Sequence, residues 1–272
     1  MRVTFLLLAC SLKRMRWLLL VAGLLLAAFQ SVLIAVAASI QGSGGFEQLA
    51  ALIPSFAREV MGPSFTAFMS FAGIVSLGYY HVAVMGSLIG LSVAVATIPA
   101  SEIEIGFMDL ILARPLARPW VITRTVIAVL VSTLFLLSMM VAGTWIGLEM
   151  LAPKDVTWPS ARLISSLAVN LGLLMLCWSG VAMAIGSAAR RRSVAGALTG
   201  LLALSSFLLD YVGRLWKPAE SVAWLSPFRY FSPFDLVMGS PLPLKNLVVL
   251  AARIRVPTGA RLRASARGRD AR

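Results

Sequence analysis

Groups able to do chemistry are few in this sequence and unevenly placed. Its 272 residues include one histidine, His81, two cysteines, Cys10 and Cys177, and 11 acids against 24 lysines and arginines. A single histidine cannot supply the paired ligands of an H-E-x-x-H zinc site, and the cysteines form no C-x-x-C pair. Both cysteines lie in or beside apolar runs and read as small buried residues. No acid pair or Ser/His dyad falls within an apolar run, so intramembrane hydrolysis has no machinery. The loop G-x-x-x-x-G-K-[ST], whose amides and lysine cradle nucleotide phosphates, is absent. Catalysis, a resident metal and a cofactor bound by this chain are therefore not expected.

The stretch with unusual chemistry is Ser101 to Arg118, SEIEIGFMDLILARPLAR. Ser101 with Glu104 has the spacing of a capping box, acids occupy the first turn and Arg114 stands near the end, which predicts a helix starting at Ser101. Arg114-Pro115 stops it. On a 3.6-residue wheel Glu102, Gly106, Asp109 and Ala113 share a narrow acidic and small face, while Ile103, Ile105, Phe107, Met108, Leu110 and Leu112 wrap the rest. So apolar a helix should be largely buried, with its polar strip left for a partner. The bland alternative is an amphipathic connector that only positions the segments on either side.

Those flanking segments must cross a membrane. The chain is 59% apolar and 13% charged with a mean hydropathy of +0.89, against about 45–50% apolar and about 25% charged for a soluble domain. Crossing the hydrocarbon takes about 20 apolar residues. Five runs qualify: Trp17–Ile40, a crossing near Tyr79–Ile98, and about Trp120–Leu148, Leu163–Gly186 and Val194–Tyr211. The first is too long for a secretory signal and reads as an uncleaved anchor. The uncharged stretch Ser64–Pro99 would overshoot a bilayer as one helix. Phe65–Gly78 is therefore expected to be an outer interfacial or half-inserted helix, with Tyr79, Tyr80 and His81 as an aromatic anchor. His81 reads as a packing residue rather than a proton relay.

Reading two crossings there instead would place Arg190, Arg191 and Arg192 outside, against the positive-inside rule. With the N-terminus inside, the inner segments also gather Arg2, Lys13, Arg14, Arg16, Arg114, Arg118 and Arg124. The net charge of +13 is thus topology charge and lipid contact, and nucleic acid is not expected as a partner. A sixth apolar run, Leu244–Ala252, contains Lys245 and is too short to span. The arginine-rich tail 253–272 cannot build a core and is expected to be disordered. It is either a basic surface segment or the product of a reading-frame change near Arg253. The expected organisation is a basic N-terminus over 1–16, a membrane domain over 17–252 and the tail. The fold class is all-α: a polytopic helix bundle of five clear spans plus a short or truncated sixth, with a cytoplasmic helix after the second. Gly86 with Gly90, Gly143 with Gly147 and Gly196 with Gly200 form three GxxxG pairs suited to close helix contact, within the chain or between copies.

The run Glu102-x-Glu104-x-Gly106-Phe107-Met108-Asp109-Leu110, continuing through Arg114-Pro115 to Arg118, resembles the signature of ABC-2 type transporter permeases. A basic N-terminus, a short basic loop between the fourth and fifth spans, and Leu225-Ser226-Pro227-Phe228 before the last span are also similar to that family, over about residues 10 to 245. Ile103 and Ile105 depart from it, standing where charges are frequent, and so does the missing sixth span. The resemblance implies a multi-pass subunit of the inner or plasma membrane. It would act as a homodimer or beside a related permease, with ATP and Mg held by a separate ATPase that contacts the helix after the second span. Glu102, Glu104 and Asp109 would face the ATPase or brace the elbow, and Arg114 and Arg118 would fix it at headgroup level. A non-transporting membrane scaffold is the alternative that the short sixth run keeps open.

Overall fold

The computed structural model describes residues 2–45, 70–105, 119–154, 156–189 and 191–252. Among them the regular elements are all helical. In chain order they are α1 (Arg2–Gly42), α2 (Phe71–Leu77), α3 (Val82–Ala96), α4 (Ile98–Glu104), α5 (Pro119–Leu151), α6 (Ala161–Ala188), α7 (Arg192–Leu215), α8 (Lys217–Ala223), a 3-10 turn (Pro227–Tyr230) and α9 (Pro233–Val237). Residues 244–252 are helical as well, with Leu250 buried. Five segments are long and apolar enough to cross a bilayer: Met15–Gly42, Phe71–Ala96, Ile122–Leu151, Ala161–Ala188 and Arg192–Leu215. The protein is a multi-pass, all-α membrane bundle. Helix α1 runs without a break from Arg2 through the basic residues into the first crossing.

The largest contact in the bundle joins α1 to α5, and glycines set its closeness. A Cβ at Gly143 would lie 2.5 Å from the Ala27 Cα, one at Gly147 3.2 Å from the Ser31 Cα, and one at Gly23 2.9 Å from the Met139 Cγ. Contacts step by four residues on both helices and rise together in number, so α1 and α5 run parallel with their i±4 ridges interlocked. Parallel first and third crossings leave room for one crossing between them, formed by α2 and α3.

That second crossing is broken. Ser70 caps α2 by accepting from the Gly73 N–H at 3.1 Å, and the helix stops at Leu77, with α3 resuming at Val82 after an extended His81. Interrupted backbone in a bilayer must find internal partners. Gln30 of α1 supplies one, donating from Nε2 to the Val75 carbonyl at 2.8 Å. The expected aromatic anchor is corrected at Tyr79: its side chain is fully buried and its hydroxyl bonds Thr144 of α5 at 2.9 Å. The break is anchored in the bundle by the Gln30 amide of α1 on the Val75 carbonyl and by Thr144 of α5 on the Tyr79 hydroxyl. His81 packs its ring on Phe29 with centroids 5.7 Å apart.

Helix α6 is the inner member of the bundle. Its Leu171, Leu174, Met175 and Cys177 are wholly buried, and Trp178 is nearly so. Beyond α7 the chain folds back: Ser226 donates to the Ser206 carbonyl at 2.8 Å and caps the 3-10 turn. The same turn inserts Phe228 between Trp178 and Phe207, at 5.8 and 5.5 Å.

Candidate functional site

At the end of the bundle where α3 stops, four helices are joined by polar groups. Thr97 ends α3, its hydroxyl donating to the Val93 carbonyl at 2.9 Å. Ile98-Pro99 then starts α4, where a proline lacking an N–H fits the first turn. On α4, Glu102 turns inward and pairs with Arg124 of α5, the two side chains being 9% and 4% exposed. Glu104 accepts the backbone N–H of Arg192, the first residue of α7, at 3.0 Å. Arg192 in turn donates through Nη2 to the Ala94 carbonyl in the last turn of α3, at 2.9 Å. Each contact places an anion on a helix N-terminus, a cation on a C-terminal carbonyl, or opposite charges together, which unpaired helix ends and their dipoles favour. The elbow formed by α4 is thereby fixed to α3, α5 and α7 at once.

The helix after the second crossing differs from expectation in its start. It begins at Ile98, and Ser101 lies within it, its N–H bonded to the Thr97 carbonyl at 3.3 Å. The capping box with Glu104 does not form, because a turn of helix already precedes Ser101. Glu104 does serve a helix N-terminus, that of α7. Burial is also the reverse of what the wheel predicts: Glu102 is inside, whereas Ile103 and Ile105 are 47% and 64% exposed. The arginine opposite gives the Glu102 carboxylate a partner, which lets a charge lie on the inward face. Gly106, Asp109, Leu110, Arg114, Pro115 and Arg118 lie outside the described residues.

Of the glycine pairs, Gly143 and Gly147 make the close contact on α1. A Cβ at Gly86, Gly90, Gly196 or Gly200 would meet nothing within 4 Å, so among the described residues these pairs hold no helix-to-helix contact. They line an open groove of about 620 Å³ between α3 and α7. The partners the elbow depends on, Arg124 and Arg192, are absent from the expected site. Arg124 carried a signal, being a charge placed several residues inside an apolar span, where an unpaired ion is costly. Arg192 carried none beyond its membership of a basic cluster. Among the described residues no group of His, Cys, Asp and Glu could hold a metal ion. No family model, curated protein or solved structure matches the chain.

Proposed function

We propose that this chain is the membrane subunit of an ABC-2 type transporter, moving a solute with ATP hydrolysed by a separate subunit. The elbow would face the cytoplasm. The observation that carries this reading is α4 itself: a short helix continuous with α3 and tied to α5 by Glu102 and to α7 by Glu104, with Ile103 and Ile105 turned outward. Exposed isoleucines flanking a buried ion pair make a docking ridge, and displacement of that ridge would reach α3, α5 and α7 together. A partner that changes shape on binding ATP could so bias one packing of the crossings against another. The resemblance over Glu102 to Arg118 points the same way, and the missing phosphate-binding loop puts ATP and Mg on the partner. The subunit would work as a homodimer or beside a related permease in the cell membrane, N-terminus inside.

The test is purification from the native membrane in mild detergent, with mass spectrometry of what accompanies the chain. A protein with a phosphate-binding loop should co-purify, and its ATP turnover should fall when Ile103 and Ile105 are both replaced by Ser while the bundle's melting is unchanged. Recovery of the intact bundle with no nucleotide-binding protein would overturn the proposal and leave the scaffold reading.

A further inference from the structure

The groove between α3 and α7 meets the elbow at one end, where Ala94, Thr97 and Arg192 line it, but the rest of its length has no role in the elbow. Its walls are apolar, and each is lowered by a glycine pair, Gly86 and Gly90 on one side, Gly196 and Gly200 on the other. At one end it is closed by Phe228, held edge-on to Phe207 at 5.5 Å. At the other stands Arg192. From Arg192 to Phe207 is fifteen residues of helix, about 22 Å. One leaflet of hydrocarbon is about 15 Å deep, half of the bilayer core. An acyl chain fits lengthwise with its headgroup at the arginine.

The mouth is cationic. Arg192 is half-buried and spends one donor on the Ala94 carbonyl. Among the described residues no carboxylate pairs with its guanidinium, since Glu104 meets its backbone N–H instead. The exposed Arg191 adjoins it. A guanidinium with donors left over, at the depth of the headgroups, matches a phosphate better than a neutral or cationic group. A second copy of the chain fits less well. Copies in one membrane share an orientation, so a two-fold contact along this groove would bring the arginine mouths to the same depth, where like charges repel.

We propose that this groove binds an anionic phospholipid from the leaflet on the elbow side, with one acyl chain along the glycine pairs and the phosphate on Arg192. The inference does not rest on the transporter reading. It is tested on the full chain, delipidated in mild detergent and offered equal amounts of phosphatidylglycerol and phosphatidylcholine of the same chain length, with retained lipid counted by native mass spectrometry. Phosphatidylglycerol should be preferred about fivefold, the ratio that a single basic contact near the surface supplies. R192Q should remove the preference and R192K keep part of it. G90L and G200L, which enter open space, should reduce retention of both lipids, and G42L, which also enters open space but away from the groove, should not. Equal retention of the two lipids, or a preference unmoved by R192Q and by both groove-filling changes, would overturn the proposal. So would a disulfide between copies carrying G200C in native membranes. Lipid retained as expected without any ATPase in the preparation would leave this site standing and remove the transporter reading; the opposite result would do the reverse.

Discussion

Replacing Arg124 by Ala should do more damage than any other single change at the elbow. The Glu102 side chain is 9% exposed and pairs with an Arg124 that is 4% exposed, so the substitution leaves a carboxylate buried without a counter-ion. Removing one partner of a buried pair costs about 3–5 kcal/mol. The elbow lies at the end of the bundle, where water can approach, so the low end applies: about 3 kcal/mol, more than a hundredfold in the folding equilibrium. The converse change, Glu102→Ala, should cost only about 1–2 kcal/mol, because an orphaned arginine this close to the start of α5 can extend its stem toward the headgroups. Replacing the pair together, Glu102→Leu with Arg124→Met, should recover most of the loss, since well-packed apolar residues substitute for buried ions. The assay is reversible unfolding in mixed micelles followed by the fluorescence of the 7 tryptophans, read as a double-mutant cycle. A loss below about 1 kcal/mol for Arg124→Ala, or equal losses for the two single changes, would refute the claim that α4 is held by a desolvated ion pair.

Three further outcomes are expected. Gly143→Ala should destabilise by about 2 kcal/mol by forcing the α1 backbone away, as overpacking does, whereas Gly196→Ala, entering open space, should be neutral or gain about 0.5–1 kcal/mol from helix propensity; thermal unfolding of the pair distinguishes them. Gln30→Leu should cost about 1–3 kcal/mol by leaving the Val75 carbonyl unsatisfied in an apolar setting, and proteolysis or hydrogen exchange at 76–81 should rise above that of α6. Cysteines placed at Ile105 and at Trp216, which are 64% and 61% exposed, should react with an impermeant thiol reagent from opposite faces, Ile105 from the cytoplasmic one; labelling of Ile105 from outside the cell would reject the orientation.

The crossings were legible because their signal is additive. Each of the five depends on the summed hydropathy of some twenty residues, and local exceptions do not change the sum. Their exact joints were not. The break at 78–81 depends on Gln30, some forty-five residues earlier, reaching the Val75 carbonyl, and on Gly78 leaving room for that side chain, since a Cβ there would overlap it. Neither residue alone signals a broken helix. Glu104 shows the same difficulty in electrostatic form. Its spacing from Ser101 fits a box that would cap its own helix, yet its carboxylate serves an N-terminus eighty-eight residues away in sequence. Capping chemistry was readable, but not the helix to which it applies, because the N–H groups of every helix start are equivalent donors to an anion. The glycine pairs are alike in sequence for a similar reason: only the facing helix decides whether a missing side chain becomes a contact, as at Gly143, or an empty space, as at Gly196.

These features meet on α7. Within its 24 residues the buried ones are Ala195, Thr199, Asp210 and Gly213, so few of the described residues pack on the middle of the helix, one side of which borders the groove. Its ends are held. Glu104 binds the first N–H, and beyond Phe207 the refolded segment bonds Ser206 through Ser226 and places Ala223 against Gly213, where a Cβ would come within 2.7 Å. A densely packed helix such as α6 can shift only by opening cavities along its length, which costs free energy at each buried side chain. Helix α7 has few such contacts to lose, and the groove beside it is already empty of protein. Motion imposed at the elbow is therefore expected to appear first as a change in the distance between α3 and α7, and whatever occupies the groove sets how far they can close.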